Sequence, residues 1–175
     1  MSSAKWLVLG IGNVLMGDEG VGVHAVRHMQ NEGMPPDAVL VDGGTGGFHL
    51  LSYFEDYGRI VMIDATMDGR PPGTVGVTRP RFASEFPRAL SAHDIGLRDL
   101  IEGATLLGPL PEICLVTISV ASIQPMEIDL SPPIRDALPI ITRLVREILD
   151  TATDKFPASC YVICEETEAS PVSGA

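Results

Sequence analysis

Basic residues are scarce in this chain: Lys and Arg total 12 against 23 Asp and Glu, for a formal charge of −11 over 175 residues. Nucleic-acid backbones are held by Lys and Arg, so this balance argues against a nucleic-acid partner. An acidic surface also repels anionic lipid headgroups. Cysteine is nearly absent. Cys114, Cys160 and Cys164 are too few and too unevenly spaced for a disulfide scaffold, and Cys160 and Cys164 lack the second pair that a structural zinc site needs. No window supplies the roughly 18 apolar residues of a membrane span. The first apolar run, Trp6 to Gly10, is interrupted by Gly10 and Gly12, is followed by Asp18-Glu19, and is closed by no small-residue cleavage site; that pattern reads as a strand, not a secretion signal. The expectation is a cytoplasmic, reduced protein with no membrane or nucleic-acid partner, for which a basic peptide suits the charge better.

What is present is a globular composition, 45% hydrophobic and 20% charged, enough for one domain with a real core. Strand and helix signals alternate. Trp6–Gly10, Val39–Asp42, Arg59–Asp64 and Ile113–Val120 are short apolar runs without polar alternation, as strands buried on both faces require. Thr74–Thr78 reads as an edge strand. Helices are expected from about Glu19 to Asn31, over Leu50–Tyr57, from an N-cap at Ser91 (with Asp94 as its capping-box partner) to about Glu102, and from Ser131-Pro132 to about Thr151. In the last of these, Ile134, Leu138, Ile141, Val145 and Ile148 form the apolar stripe, and Pro139 should kink it or delay its start. Residues 1–151 read as a single α/β domain and 152–175, rich in Thr, Glu, Ser and Ala, as a flexible tail in which Tyr161-Val162-Ile163 has the makings of an edge strand. Alternating strands and helices predict a mostly parallel twisted sheet covered on both faces, with ligand sites beyond the carboxyl ends of the strands.

Acidic residues cluster at those ends: Asp18-Glu19, Asp42 and Asp64. His93, at an expected helix start, faces the same rim, where the helix dipole favours a neutral imidazole. Carboxylates and an imidazole together suit borderline divalent ions such as nickel or zinc. Each residue also has a plain reading. Asp18 can cap the following helix, Glu19 can offset its dipole, Asp42 can hold the glycine turn, Asp64 can cap a loop, and His93 can be a surface residue. His24 and His28 share a helix, but project away from its apolar face as solvated residues. Cys114 reads as a buried strand residue. Gly10-Ile11-Gly12 invites a dinucleotide reading, but Leu15 stands where the third glycine belongs, and Asp18-Glu19 put negative charge where a pyrophosphate would sit.

The run Gly10-Ile-Gly-Asn-Val-Leu-Met-Gly-Asp-Glu-Gly-Val-Gly resembles the opening signature of the nickel–iron hydrogenase maturation endopeptidases. Asp42-Gly-Gly-Thr-Gly-Gly is similar to their second glycine motif, Ile63-Asp64-Ala65 to their third-strand ending, and Ser91-Ala-His-Asp-Ile-Gly-Leu to their Ser-x-His segment. The four occur in order over about residues 5 to 150. The resemblance implies a three-layer α/β/α sandwich and removal of a C-terminal extension from a hydrogenase large-subunit precursor after nickel insertion, with the cut following a basic residue near the last metal-binding cysteine. By motif, the metal ligands fall on Glu19, Asp64 and His93, with Asp64 and Glu19 also the candidates for catalysis. The second glycine motif makes Asp42, Gly43, Gly44 and Thr45 the expected substrate-binding residues. Nickel is expected to arrive with the precursor, and zinc or cadmium can occupy such a site. A non-catalytic metal-dependent chaperone of the large subunit and a dinucleotide-binding enzyme are the rival classes.

Overall fold

A computed structural model describes residues 6–87, 90 and 96–151, together with the backbone of 159–162. Its centre is a sheet in the order β2-β1-β3-β5-β4-β6, formed by β1 (Trp6–Gly10), β2 (Ala38–Asp42), β3 (Arg59–Thr66), β4 (Val75–Thr78), β5 (Glu112–Ser119) and β6 (Ser159–Val162). Strands β2, β1, β3 and β5 run parallel; β4 is antiparallel to both of its neighbours. The central strands are buried because side chains alternating along them fill two cores. Val8, Val61, Ile63, Val116 and Ile118 pack against α1 (Val21–Glu32) and α4 (Pro132–Asp150), while Leu7, Leu9, Ile60, Met62 and Leu115 pack against α2 (Leu51–Asp56) and α3 (Leu97–Leu107). This is the expected α/β/α sandwich around a mostly parallel sheet, with an apolar layer on each face. No helix among the described residues is long and apolar enough to cross a membrane.

Several expectations change in detail. Glu19 does not begin the first helix: Gly17–Gly20 forms a 3-10 turn and α1 starts at Val21. The helix expected from Ser91 is α3, which opens at Leu97, where Gly96 in extended backbone is the N-cap and its amide donates to Asp99 Oδ2 at 3.2 Å. Ser91, His93 and Asp94 lie outside the described residues. Helix α4 starts at the expected Ser131-Pro132 boundary and continues through Pro139, which faces solvent, so the carbonyl that loses its partner there stays accessible to water. Within the segment expected as a tail, Ser159–Val162 instead pairs antiparallel with β4. The physical reason is that β4 otherwise offers an open ladder of amides and carbonyls on that side.

Candidate active site

The rim is built by glycines that let backbone touch backbone. A Cβ on Gly22 would stand 2.2 Å from the Ile11 carbonyl oxygen and 2.3 Å from that of Ile63; one on Gly10 would stand 2.1 Å from the Gly22 oxygen. Helix α1 therefore begins directly on the carboxyl ends of β1 and β3, closer than any side chain permits. Gly12, at φ +149, has the Glu19 carbonyl 2.1 Å from the position of a Cβ, so the turn carrying Glu19 is folded down over the end of β1. The Ile11 amide donates to Ile63 O at 2.9 Å, which places Asp64, the next residue of β3, at the same level.

Glu19 and Asp64 are brought together by this arrangement. Glu19 is buried, and Asp64 is partly buried in β3. Burial pushes the Asp64 carboxyl from its ordinary 3.8 up to about 8; the Ala65 amide opposes this, and the charge of Glu19 adds to it. That amide reaches Asp64 Oδ1 at 2.9 Å. At neutral pH Asp64 therefore holds a proton beside a second carboxylate, as happens when two acids share one site.

The other rim acids have different partners. Asp18, 2% exposed, does not cap its own turn. Its carboxylate accepts hydrogen bonds from the Ser131 amide at 2.7 Å, the Ser131 hydroxyl at 2.8 Å and Gln124 Nε2 at 3.2 Å, while its amide donates to Gln124 Oε1 at 2.8 Å. Asp18 thus fastens the Glu19 turn to the start of α4. Nothing in the local sequence signals this role for Gln124, and for Ser131 only the Ser-Pro helix start marks the place. Asp42 ends β2 and holds the glycine turn: Oδ1 accepts from the Gly44 amide at 2.9 Å and Oδ2 pairs with Arg27 at 3.0 Å. Gly43 N donates to Gly10 O, and Gly12 N to Gly44 O, each at 2.8 Å, so this turn is stitched to the first loop, with Thr45 exposed beside it.

His93 lies outside the described residues, and among those described no group of three His, Cys, Asp or Glu side chains converges to hold a metal ion. His24 and His28 are half-buried, not fully solvated as expected. The His24 ring hydrogen-bonds to the backbone of Ile128, and burial, reinforced by Arg27, holds its pKa below the ordinary value. His28 Nε2 lies 3.1 Å from Glu32. Cys114 is a buried free thiol whose pKa burial pushes up.

Known proteins share this build. A family model described as hydrogenase maturation protease (HycI) matches residues 23–150. Hydrogenase expression/formation protein HupD of Bradyrhizobium diazoefficiens is 39% identical over 142 residues, 75% of this chain and 71% of that protein. The hydrogenase 2 maturation protease of Escherichia coli is 29% identical over 156 residues, covering 86% and 94% of the two chains. The structure of the hydrogenase maturating endopeptidase HybD from E. coli matches with a TM-score of 0.73 at 29% identity, over 83% of this chain and 91% of that one. A family model running from within α1 to the last residue of α4, and a relative 39% identical over three quarters of the sequence, lead to one conclusion: the chain belongs to the hydrogenase maturation protease family.

Proposed function

We propose that this chain is the endopeptidase that removes the C-terminal extension of a nickel–iron hydrogenase large-subunit precursor once nickel has been inserted, cutting after a basic residue near the last metal-binding cysteine. The observation that carries the reading is the Glu19–Asp64 pair, in which Asp64 is held near pKa 8 by burial and by its neighbour. A buried carboxyl that keeps its proton beside a second acid also suits a divalent cation in the proton's place, and by the family motif His93 would complete an oxygen/nitrogen ligand set for nickel carried by the precursor. Zinc or cadmium fits the same donors. When bound, nickel would position the precursor peptide and could also supply positive charge to polarise the scissile carbonyl.

The residues of the chain account for the remaining steps. In its ionised form, its own proton given up, Asp64 is the general base that takes a proton from the attacking water as the oxygen adds to the carbonyl carbon. The same proton passes to the leaving amine nitrogen as the peptide C–N bond breaks. Glu19 would be the second carboxylate to hold the cation. The turn Asp42-Gly43-Gly44-Thr45 offers backbone groups beside the cleft for the substrate peptide. We place the reaction in the cytoplasm, in keeping with the low cysteine count and the free Cys114.

The test is to incubate the purified chain with nickel-loaded and nickel-free precursor and follow the mass of the large subunit. Loss of the extension from the loaded form alone is expected, abolished by Glu19→Gln, Asp64→Asn or His93→Ala with cooperative unfolding retained. Binding of precursor with no mass loss would instead identify a metal-dependent chaperone. Normal processing by all three variants would remove the site assignment.

A further inference from the structure

Large apolar side chains that stand in water are unevenly placed among the described residues. Leu15, Phe48, Met67, Met126 and Ile128 are exposed on the loops that leave the carboxyl ends of β1, β2, β3 and β5, which is the rim where Glu19 and Asp64 meet. Isolated exposed apolar residues need no account, but several gathered around one rim mark a contact surface.

Two of them are held rigidly. The Met126 amide donates to Leu15 O at 2.8 Å, Gly17 N donates to Glu127 O at 2.8 Å, and Gln124 N donates to Met16 O at 3.2 Å, so the loop before α4 pairs with the loop after β1. The hydrogen bonds of Asp18 to Gln124 and Ser131 brace this wall from below. Met126 has φ +64, the one positive φ outside glycine among the described residues, and the residue is 86% exposed. A left-handed methionine is strained, and burial does not offset the strain here, since the side chain is held out in solvent. An unbranched, polarizable methionine adapts to varied apolar partners.

We propose that Leu15 and Met126, with Ile128 beside them, form the docking surface for the apolar part of the precursor segment that flanks the scissile peptide. This rests on the endopeptidase reading above. The occupant follows from continuity and charge. Leu15 and Glu19 belong to one short loop-and-turn segment, so a peptide reaching Glu19 and Asp64 passes this wall. A second copy of the chain is a poor occupant: exposed Glu127 and Asp129 alternate with Met126 and Ile128 and each copy carries −11, so acid would face acid. Preformed by its backbone pairing, the wall binds without being ordered first.

The experiment compares wild type with Leu15→Ser/Met126→Ser and with Met126→Gly, using nickel-loaded precursor. These side chains are exposed, and glycine relieves the φ at 126, so melting temperatures should stay within a degree or so. The expected result is a KM raised about tenfold in the double variant with kcat within about twofold. Leu106→Ser, on an exposed site at the end of α3, is the control and should leave both unchanged. An unchanged KM in the double variant overturns the docking surface while leaving the protease reading standing. If wild type fails to cut, retention of precursor on the immobilised chain decides separately: loss of retention in the double variant supports the surface although the protease reading falls, and equal or absent retention overturns it.

Discussion

The Asp18 carboxylate receives both the amide and the hydroxyl of Ser131, at 2.7 and 2.8 Å, joining the turn after β1 to the N-cap of α4 across 113 positions of sequence. A buried anion at a helix start is favoured by the helix dipole and by the amide it satisfies. Its neighbour Glu19 lies close enough to Asp64 for its charge to be felt there, so the clamp made by Asp18 fixes where the Glu19 carboxylate sits.

Breaking that clamp should cost both stability and rate. Asp18→Ala leaves Ser131 and Gln124 groups without their acceptor and should destabilise by about 2–4 kcal/mol in denaturant unfolding. Asp18→Asn keeps acceptor capacity and should cost less than half of that. Equal, negligible losses for both would show that the clamp is dispensable.

Asp64 ties stability to pH. Its carboxyl titrates near 8 in the fold against 3.8 ordinarily, so between these values the native chain binds a proton that the unfolded chain does not. Stability from this group is therefore present at acid pH and is lost as pH rises toward 8. Asp64→Asn removes the buried charge, and its melting temperature should exceed that of wild type most at pH 8.5–9, with the gap closing near pH 4. A constant gap over this range would contradict the raised pKa.

The same proton should control metal uptake. On the proposed site, a divalent ion bound by Asp64 has to displace it, so nickel affinity of the free chain should climb with pH up to about 8 and level off above, with proton release on binding. Titration calorimetry at pH 6 and 8.5, in buffers of different ionisation enthalpy, measures both quantities. Affinity that is flat across this range would place the metal away from Asp64.

At the far edge of the sheet, chain length should matter in a stepwise way. Ending the chain after Thr151 removes β6 and uncovers the β4 ladder, and melting should fall by several degrees. Ending it after Val162 keeps the pairing and should leave melting close to wild type. No difference between the two truncations would show that β6 contributes nothing to the sheet.

Much of this molecule is legible locally. Trp6–Gly10, Arg59–Asp64 and the stripe of α4 declare themselves because burial on two faces demands unbroken apolar runs, and burial on one helix face demands a 3.6-residue period. The glycines of the first loop and the acids at strand ends mark the rim, since parallel sheets open their crevices there. Local pattern is silent about which acid meets which partner. Asp18, Glu19 and Asp42 look alike in sequence, yet one clamps α4, one joins Asp64, and one pairs with Arg27. That division is decided by the sheet order, which sets β3 between β1 and β5, and by glycine contacts that draw α1 onto the strand ends. The sequence alone determined the layers, the family resemblance and the rim. Only the tertiary structure decided the clamp, the raised proton affinity of Asp64 and the pairing of β6, because each depends on groups far apart in the chain meeting where water is excluded or an edge is left open.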